Sequence, residues 1–454
     1  MYVKISIVFP LWLLLLVPAL WSQSAILDQY VKTGLENNQA LKTQNLSYLK
    51  SMEALKEARG LFMPQVTFSS SYTLAAGGRS IQFPVGDLLN PVYSTLNMLL
   101  ENQTFPTDLE NVDEQFLPHN FQETKVRVIQ PLFNSDIYYN YQANKSLIKV
   151  QEASREAYRQ ELIKDIKTAY FNYLKAAELV KIYQETRTLL EEIIRVNQRL
   201  VEHHKATPDA ISRAEYELAK IDQEAAYAEQ QLQTAQAYVN FLINQPLETE
   251  IEIDTNLGTD QISHTLTDVS EMQANAVDSR WELTQLEYAD QATQQNVQRN
   301  KFQFLPKAFL VLDGGFQGYG YDFGNQEFAL GQVSLQWDLF NGLQKRAQYQ
   351  QAKIDREILS QRKEQTTRQI QLQVRQNWYQ LKAAEAVLKA NHKGVKSAQT
   401  TFNLIHKKYI NDQASLLELM DARTQLTQSK LSQVISNYDY LGKQAELEWA
   451  AGGN

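Results

Sequence analysis

The chain of 454 residues has no cysteine, and its 17 glycines and 11 prolines are each about half the usual share of roughly 7% and 5%. Without cysteine there are no disulfides, thiolate metal sites, cysteine nucleophiles or lipid-modified N-terminal cysteine, and a net charge of −8 with no basic stripe excludes a generic nucleic-acid binder. Apolar and charged fractions of 43% and 21% exclude a disordered chain, while the sparse punctuation points to long elements rather than the roughly three globular domains that length alone would give.

At the N-terminus, Lys4 precedes an apolar run from Ile5 to Trp21, followed by Ser22-Gln23-Ser24-Ala25. A positive start, a short apolar core and small residues near its end mark residues 1–24 as a cleaved secretory signal. Pro10 and Pro18 break the run and argue against a membrane anchor. No apolar stretch of about 18 residues follows, so no transmembrane helix is expected and the mature chain is exported.

The rest is written twice. Leu174-Lys175-Ala176-Ala177-Glu178 recurs as Leu381-Lys382-Ala383-Ala384-Glu385, and Leu132-Phe133-Asn134 as Leu339-Phe340-Asn341, both 207 residues later. Leu41 matches Leu283 and Pro64 matches Pro306 at an offset of 242. The repeats span residues 25–247 and 268–454, joined by a linker at 248–267, with 35 extra residues in the first repeat between Pro64 and Leu132.

Each repeat opens with a helical stretch, around Ile26 to Leu61 and Val269 to Leu305. Pro64 or Pro306 then leads into a strand hairpin, expected over 65–133 and 307–340. Val66, Phe68, Tyr72 and Leu74 alternate with Thr67, Ser69, Ser71 and Thr73, with Ser70 breaking the apolar side. Val333, Leu335, Trp337 and Leu339 alternate with Gln332, Ser334, Gln336 and Asp338. Val126, Val128 and Leu132 occupy the matching places in the first repeat, and Phe309 to Phe316 forms a less regular fourth strand. Period-two alternation marks strands with one apolar and one wet face. One hairpin tip is a short aromatic turn, Tyr319 to Asn325; the other runs from about Ala76 to Gln122 with four prolines. The sequon Asn102-Gln103-Thr104 within it is too common a pattern to carry a function.

Long helices follow. Between Pro131 and Pro208 lie 76 residues without Gly or Pro, roughly 110 Å as helix. Leu179, Ile182, Leu189, Ile193, Val196 and Leu200 form a three-four stripe with Thr186 as its polar member. Leu381, Ala384, Leu388, Val395, Ala398, Phe402, Ile405 and Tyr409 repeat it, with Asn391 as the exception. Such stripes are coiled-coil seams. Turns at Pro208 and Ala414-Ser415 send a second helix back in each repeat.

Four amphipathic strands cannot close a barrel, since the smallest use about eight, and an open edge is not tolerated in lipid. Other subunits must complete such a sheet, and the helical hairpins would then continue the wall as a tube. In this order of signal segment, duplication, helix–Pro–strand junctions and turns at Thr207-Pro208-Asp209 and Asn411-Asp412-Gln413-Ala414-Ser415, the chain resembles the TolC family of outer-membrane efflux and secretion ducts. The phrase from Ser415 to Arg423 is similar to the family's second turn and its following helix.

The resemblance implies a mainly α fold with a small β part. Duplicated coiled-coil hairpins and four strands per chain would be shared in a homotrimer, as a transmembrane β-barrel and a periplasmic α-barrel. It implies a passive exit duct in the bacterial outer membrane that contacts outer-membrane lipid, a periplasmic adaptor and an inner-membrane pump, with no cofactor, metal or nucleic acid. It also implies acidic residues facing the lumen at the periplasmic tip, here Glu418 and Asp421, which share a helix face at i and i+3. An ordinary solvated face is the alternative for that pair. Tyr409 is similar to a tyrosine that holds the family's closed tip, and is equally a seam residue. Asp209 is a tip candidate and equally a helix N-cap. Ala414 stands where some members have a latching Arg. His203-His204 reads as solvated surface, because adjacent residues point apart on a helix. Tyr72, Phe309, Phe316 and Trp337 are candidates for an interfacial aromatic girdle, and Tyr319, Tyr321 and Phe323 for its rim or an exposed loop.

Hydrolase, zinc-protease, phosphate-loop and dinucleotide motifs are absent, so no enzyme is expected. The competing reading is a soluble periplasmic coiled-coil adaptor or structural rod, which would need compact globular strands rather than long two-faced hairpins.

Overall fold

The computed structural model describes residues 24–254, 257, 268–411 and 413–453. The signal segment up to residue 23, most of the linker between 255 and 267, and Asp412 of the second turn lie outside the described residues. The first repeat comprises α1 (Ala25–Asn37), α2 (Gln39–Gly60), β1 (Gln65–Thr73), β2 (Ser80–Phe83), α3 (Val85–Leu99), β3 (Val112–Gln115), β4 (Phe121–Phe133), α4 (Ser135–Glu202) and α5 (Asp209–Leu242). The second comprises α6 (Val269–Ser279), α7 (Trp281–Phe302), β5 (Lys307–Tyr319), β6 (Glu327–Gln336), α8 (Gln344–Ile410) and α9 (Leu416–Ala450). Counterparts are nearly equal: α4 and α8 have 68 and 67 residues, α5 and α9 have 34 and 35. Among the described residues no helix is long and apolar enough to cross a membrane.

The chain divides into a helical unit (24–51, 148–289 and 358–453) and a sheet unit (52–147 and 290–357). In the helical unit, α4 and α9 run antiparallel, tied by Lys167–Glu448, Lys175–Asp439 and Glu185–Lys430. The part of α4 in this unit covers roughly 80 Å. Its buried seam is Ile182, Thr186, Leu190, Ile193 and Asn197. That corrects the expected stripe at two places, because Leu190 and Asn197, rather than Leu189 and Val196, are fully buried. The spacing of four, four, three and four is an eleven-residue repeat, which follows a straight helix better than a strict heptad does. In α8, by contrast, Val374, Leu381, Leu388 and Phe402 keep the seven-residue period. Both polar interruptions of the seams are satisfied: Thr186 Oγ1 meets Thr427 Oγ1 at 3.3 Å, and Asn391 Nδ2 donates to the Ser432 carbonyl at 3.0 Å.

One joint recurs in both repeats. The break between α1 and α2 falls at Asn38, and that between α6 and α7 at Arg280, 242 residues later. Buried Asn38 donates from Nδ2 to the Leu242 carbonyl at the end of α5 (2.8 Å) and accepts from Leu41 N (2.9 Å). Buried Arg280 donates to the Ala450 carbonyl at the end of α9 (3.2 Å) and stacks on Trp449. Different side chains thus satisfy the last carbonyls of equivalent helices. Burial opposes the charge of Glu282, but the hydrogen bond and positive charge of Arg280 outweigh it and hold the carboxyl below its usual range. Beside the first joint, Tyr30, Tyr170 and Tyr173 bond the backbone of residues 251–254. Burial pushes the Tyr170 hydroxyl up to about 12, so it stays a neutral donor.

The sheet unit holds an antiparallel sheet in the order β1-β4-β5-β6. Register puts Val66, Val128 and Leu312 in one row and Phe68 and Val126 in the next, on the face that also carries Val333 and Leu335. The opposite face holds Thr67, Ser69, Lys125, Arg127, Asp313 and Gln332, with a bidentate Arg127–Asp313 pair at 2.8 and 2.7 Å. The strands are shorter than the expected hairpins. β6 stops at Gln336 because its partner β5 begins opposite, at Lys307, so Trp337 and Leu339 lie past the strand. Likewise Thr73 ends β1 opposite Phe121, and Leu74 lies beyond. At the entry to α4, Asn134 Oδ1 accepts from Asp136 N (3.0 Å), and Asp136 pairs with Lys307 (2.6 Å).

Removing these joint side chains should lower the thermal midpoint of the detergent-solubilised protein. Asn38→Ala should cost about 1–2 kcal/mol, by leaving the Leu242 carbonyl without its donor. Arg280→Ala should cost about 3 kcal/mol, because it also strips Glu282 of its partner.

Candidate functional site: the helical tip and the sheet faces

The tip of the helical unit is built from two turns. At the first, Lys205 N and His204 N bond the Leu200 and Val201 carbonyls, with His204 in the left-handed region at φ 57°. This is a Schellman end, and His204 supplies its left-handed residue. Among the described residues no His, Asp or Glu cluster could hold a metal. α5 then starts at Asp209. Its N-cap is Pro208 and no side chain caps it, so Asp209 is the first helical residue rather than the cap. Its charge there complements the helix dipole.

At the second turn Ser415 caps α9. Its Oγ accepts from Glu418 N (3.2 Å), while Glu418 Oε2 accepts from Ser415 N (2.7 Å) and Oγ (2.9 Å). The Ser415 amide, then its hydroxyl, holds the Glu418 carboxyl below its usual range. Through Oε2 Glu418 thus closes a capping box, which Ser-x-x-Glu announces. Asp421 is exposed on the same side of α9, while Leu419, Met420, Ala422 and Arg423 are buried.

Just behind these turns two polar ties join the repeats. Tyr409 of α8 donates to Asn197 Oδ1 of α4 at 2.6 Å, and Asn197 Nδ2 bonds the Ile193 carbonyl. Arg423 of α9, only 2% exposed, donates from a terminal nitrogen to Glu217 Oε2 of α5 at 2.7 Å. Around them Leu190, Ile193, Ala214, Ile221, Phe402, Leu419 and Leu426 make one apolar cluster. The arrangement clamps four helix ends together. Neither Asn197 nor the Arg423–Glu217 pair is apparent from a hydrophobic stripe; the available signal was that Arg423 falls four residues after Leu419 and three before Leu426, on their face of α9.

The sequence model of the family described as outer membrane efflux protein matches residues 272–453. Outer membrane protein TolC of Escherichia coli (strain K12) is 19% identical over 450 residues, covering 95% of this chain and 83% of that protein. Among solved structures, the outer-membrane channel OprN superposes with a TM-score of 0.77 at 15% identity, covering 95% of this chain and 91% of that one. The open-state MtrE outer membrane channel of Neisseria gonorrhoeae gives 0.74 at 16%, covering 94% and 89%. The chain has the fold of TolC-type outer-membrane channels.

The aromatic candidates lie on the two-faced sheet and at its ends. Tyr72 and Phe316 lie on its apolar face, where Tyr321 and Phe323 of the short tip fold onto them, with Tyr72–Tyr321 centroids 5.4 Å apart and Phe316–Phe323 5.2 Å apart. Phe309 pairs with Ser334 on the polar face, so it cannot join a girdle with Tyr72 and Phe316. Trp337 donates from Nε1 to the Phe304 carbonyl at 2.9 Å, which holds its exposed ring at the other end of the sheet.

Glu217→Ala should destabilise the tip by roughly 3 kcal/mol through the stranded Arg423, and Glu217→Gln by less, read as faster proteolysis near residues 200–215. The Glu418 cap has its own pH signature. Its folded pKa is depressed, so its stabilisation is present above the unfolded value of about 4.3 and is lost as pH falls through the lower folded value. Protection of the Ser415 amide, which donates to Glu418 Oε2, should therefore collapse in acid, and Glu418→Ala should abolish it at neutral pH.

Proposed function

We propose that three copies of this chain form a passive exit duct through the bacterial outer membrane. Substrate would arrive from an inner-membrane pump through a periplasmic adaptor. The observation that carries this reading is the sheet β1-β4-β5-β6, with an apolar face, a polar face and both outer strands open. In lipid those edges need partners, and β6 of one copy can supply β1 of the next. The helices support it: α5 exposes Tyr216, Tyr227 and Tyr238 at eleven-residue intervals, and α8 exposes Leu372, Tyr379 and Val387, apolar flanks suited to a neighbour. Transport is passive because the chain has no nucleotide-binding motif, so the pump supplies the energy. A soluble adaptor or rod would leave Phe68, Val333 and Leu335 in water, which disfavours that reading.

At the tip, Glu418 and Asp421 of three chains would ring a narrow lumen with carboxylates, which attract cations. Tyr409–Asn197 and Arg423–Glu217 would hold it closed, in place of the latch that Ala414 cannot make.

Two experiments test this reading. The protein should resist salt washes, leave the membrane only with detergent and run as a trimer on native gels; release by salt as a monomer would refute the duct. In reconstituted channels, Glu418→Ala with Asp421→Ala should weaken block by multivalent cations, and unchanged block in single-channel records would remove those residues from the lumen.

A further inference from the structure

The insertion between β1 and β4 is a folded unit with one face left bare. Where the second repeat turns in residues 320–326, the first runs from 74 to 120 and contains the β2–β3 pair and α3. One face of α3 is bound tightly to the returning chain. Asn90 exchanges hydrogen bonds with the Leu109 backbone, Nδ2 to carbonyl and amide to Oδ1, both at 2.9 Å. Seven residues on, Asn97 does the same with Phe105 at 2.7 and 2.9 Å. Tyr93 stacks on Phe105, and Gly86 lies so close to Leu109 that a Cβ would come within 2.1 Å of its carbonyl oxygen. Gly86, Asn90, Tyr93 and Asn97 are thus the inner face. The opposite stripe, Leu88, Val92, Thr95 and Leu99, is exposed and uncharged, with Leu99 at 74%. A helix pinned this firmly on one side holds its apolar side in a fixed place.

We propose that this stripe packs against a neighbouring copy of the chain at the hairpin tips. The proposal rests on the trimeric duct reading. Two observations select the copy over a lipid surface. First, no Lys or Arg occurs between Arg79 and Lys125, while Asp87, Glu101, Asp108, Glu110, Asp113 and Glu114 are acidic. Helices that lie on anionic lipid carry basic residues beside the apolar stripe; here the flanking charge repels such a surface. A protein–protein contact through the uncharged stripe leaves these acids on a hydrated rim. Second, the insertion grows from Thr73, the last residue of the edge strand β1. A copy that pairs with β1 would come up beside it.

The test is photo-crosslinking in the full chain in its own outer membrane. A benzophenone amino acid replaces Val92 in one sample and Asp113, on exposed β3, in another, and native gels of the same samples report assembly. The expected result is a trimer on native gels and an adduct of twice the chain mass from position 92, at least fivefold weaker from position 113. Adding Leu88→Asp should reduce the position-92 adduct at least fivefold while the trimer persists. A trimer whose position 92 reacts only with lipopolysaccharide or phospholipid, reacts with nothing, or matches position 113 overturns the proposal alone. Absence of any trimer overturns the duct reading, and the proposal with it.

Discussion

Strands β1 and β6 each have a neighbour on one side only. A row of backbone N–H and C=O groups on each open edge needs partners, and each costs several kcal/mol if lipid is all it meets. That constraint organises the rest of the molecule. It explains why a chain with ample helix leaves Phe68, Val333 and Leu335 uncovered in isolation. β6 itself gives way at Gln336 to the exposed Trp337–Phe340 segment because its partner β5 begins opposite it, at Lys307. In the proposed duct, copies of the chain would complete the sheet, and the helices' exposed apolar flanks would follow the same logic on a different element.

Long paired helices raise a second problem. A seven-residue seam such as Val374, Leu381, Leu388 and Phe402 matches itself again after a slide of one heptad, so apolar packing alone leaves register loosely fixed. The polar members remove that degeneracy. Thr186 meets Thr427, Asn391 meets the Ser432 carbonyl, Asn197 meets Tyr409 and Arg423 meets Glu217. Any slide would strand several buried polar groups at about 1–3 kcal/mol each. These residues add little net stability over apolar replacements. What they give is one alignment of helices, and all but the Asn391–Ser432 tie also join the first repeat to the second.

Much of this was legible because it follows from periodicity. Alternation in Val66 to Thr73 and Gln332 to Leu335 located two strands and their faces, and the offset of 242 aligned the two repeats there, whereas the joints at Asn38 and Arg280 fell inside stretches read as continuous helix. What escaped depended on choices that periodicity leaves open. A three-four stripe on α4 tolerates either Leu189 or Leu190, and the eleven-residue phase of a straight helix decides for Leu190 and then Asn197. Phe309 has the composition of a girdle residue, but only cross-strand register reveals that it shares a face with Ser334. The insertion was opaque because its order comes from Asn90 and Asn97 bonding backbone distant in sequence, which no local pattern announces. The capping box at Ser415 and Glu418 was visible in principle, since both residues sit at the required spacing.

The repeats differ most where they meet different surroundings. Inside the helical unit, Asn38 and Arg280 do one job with different chemistry, because the requirement is a donor for the last carbonyls of α5 and α9 and many side chains can meet it. At the ends no common requirement remains. One helical turn closes with a left-handed His204 and restarts at Pro208, whereas the other restarts on a Ser415–Glu418 box. One strand hairpin turns in a few residues and lays Tyr321 and Phe323 on its own sheet, whereas the other builds a separate layer with α3. Had each repeat faced the same partner at its ends, the same residues would have served twice. In a ring of identical chains, repeats alternate around the axis, so unlike ends would give the mouth and the tip alternating contacts of two kinds. In the proposed duct, the Arg423–Glu217 and Tyr409–Asn197 ties would hold the two turns of each chain together, leaving the unlike ends to meet their neighbours.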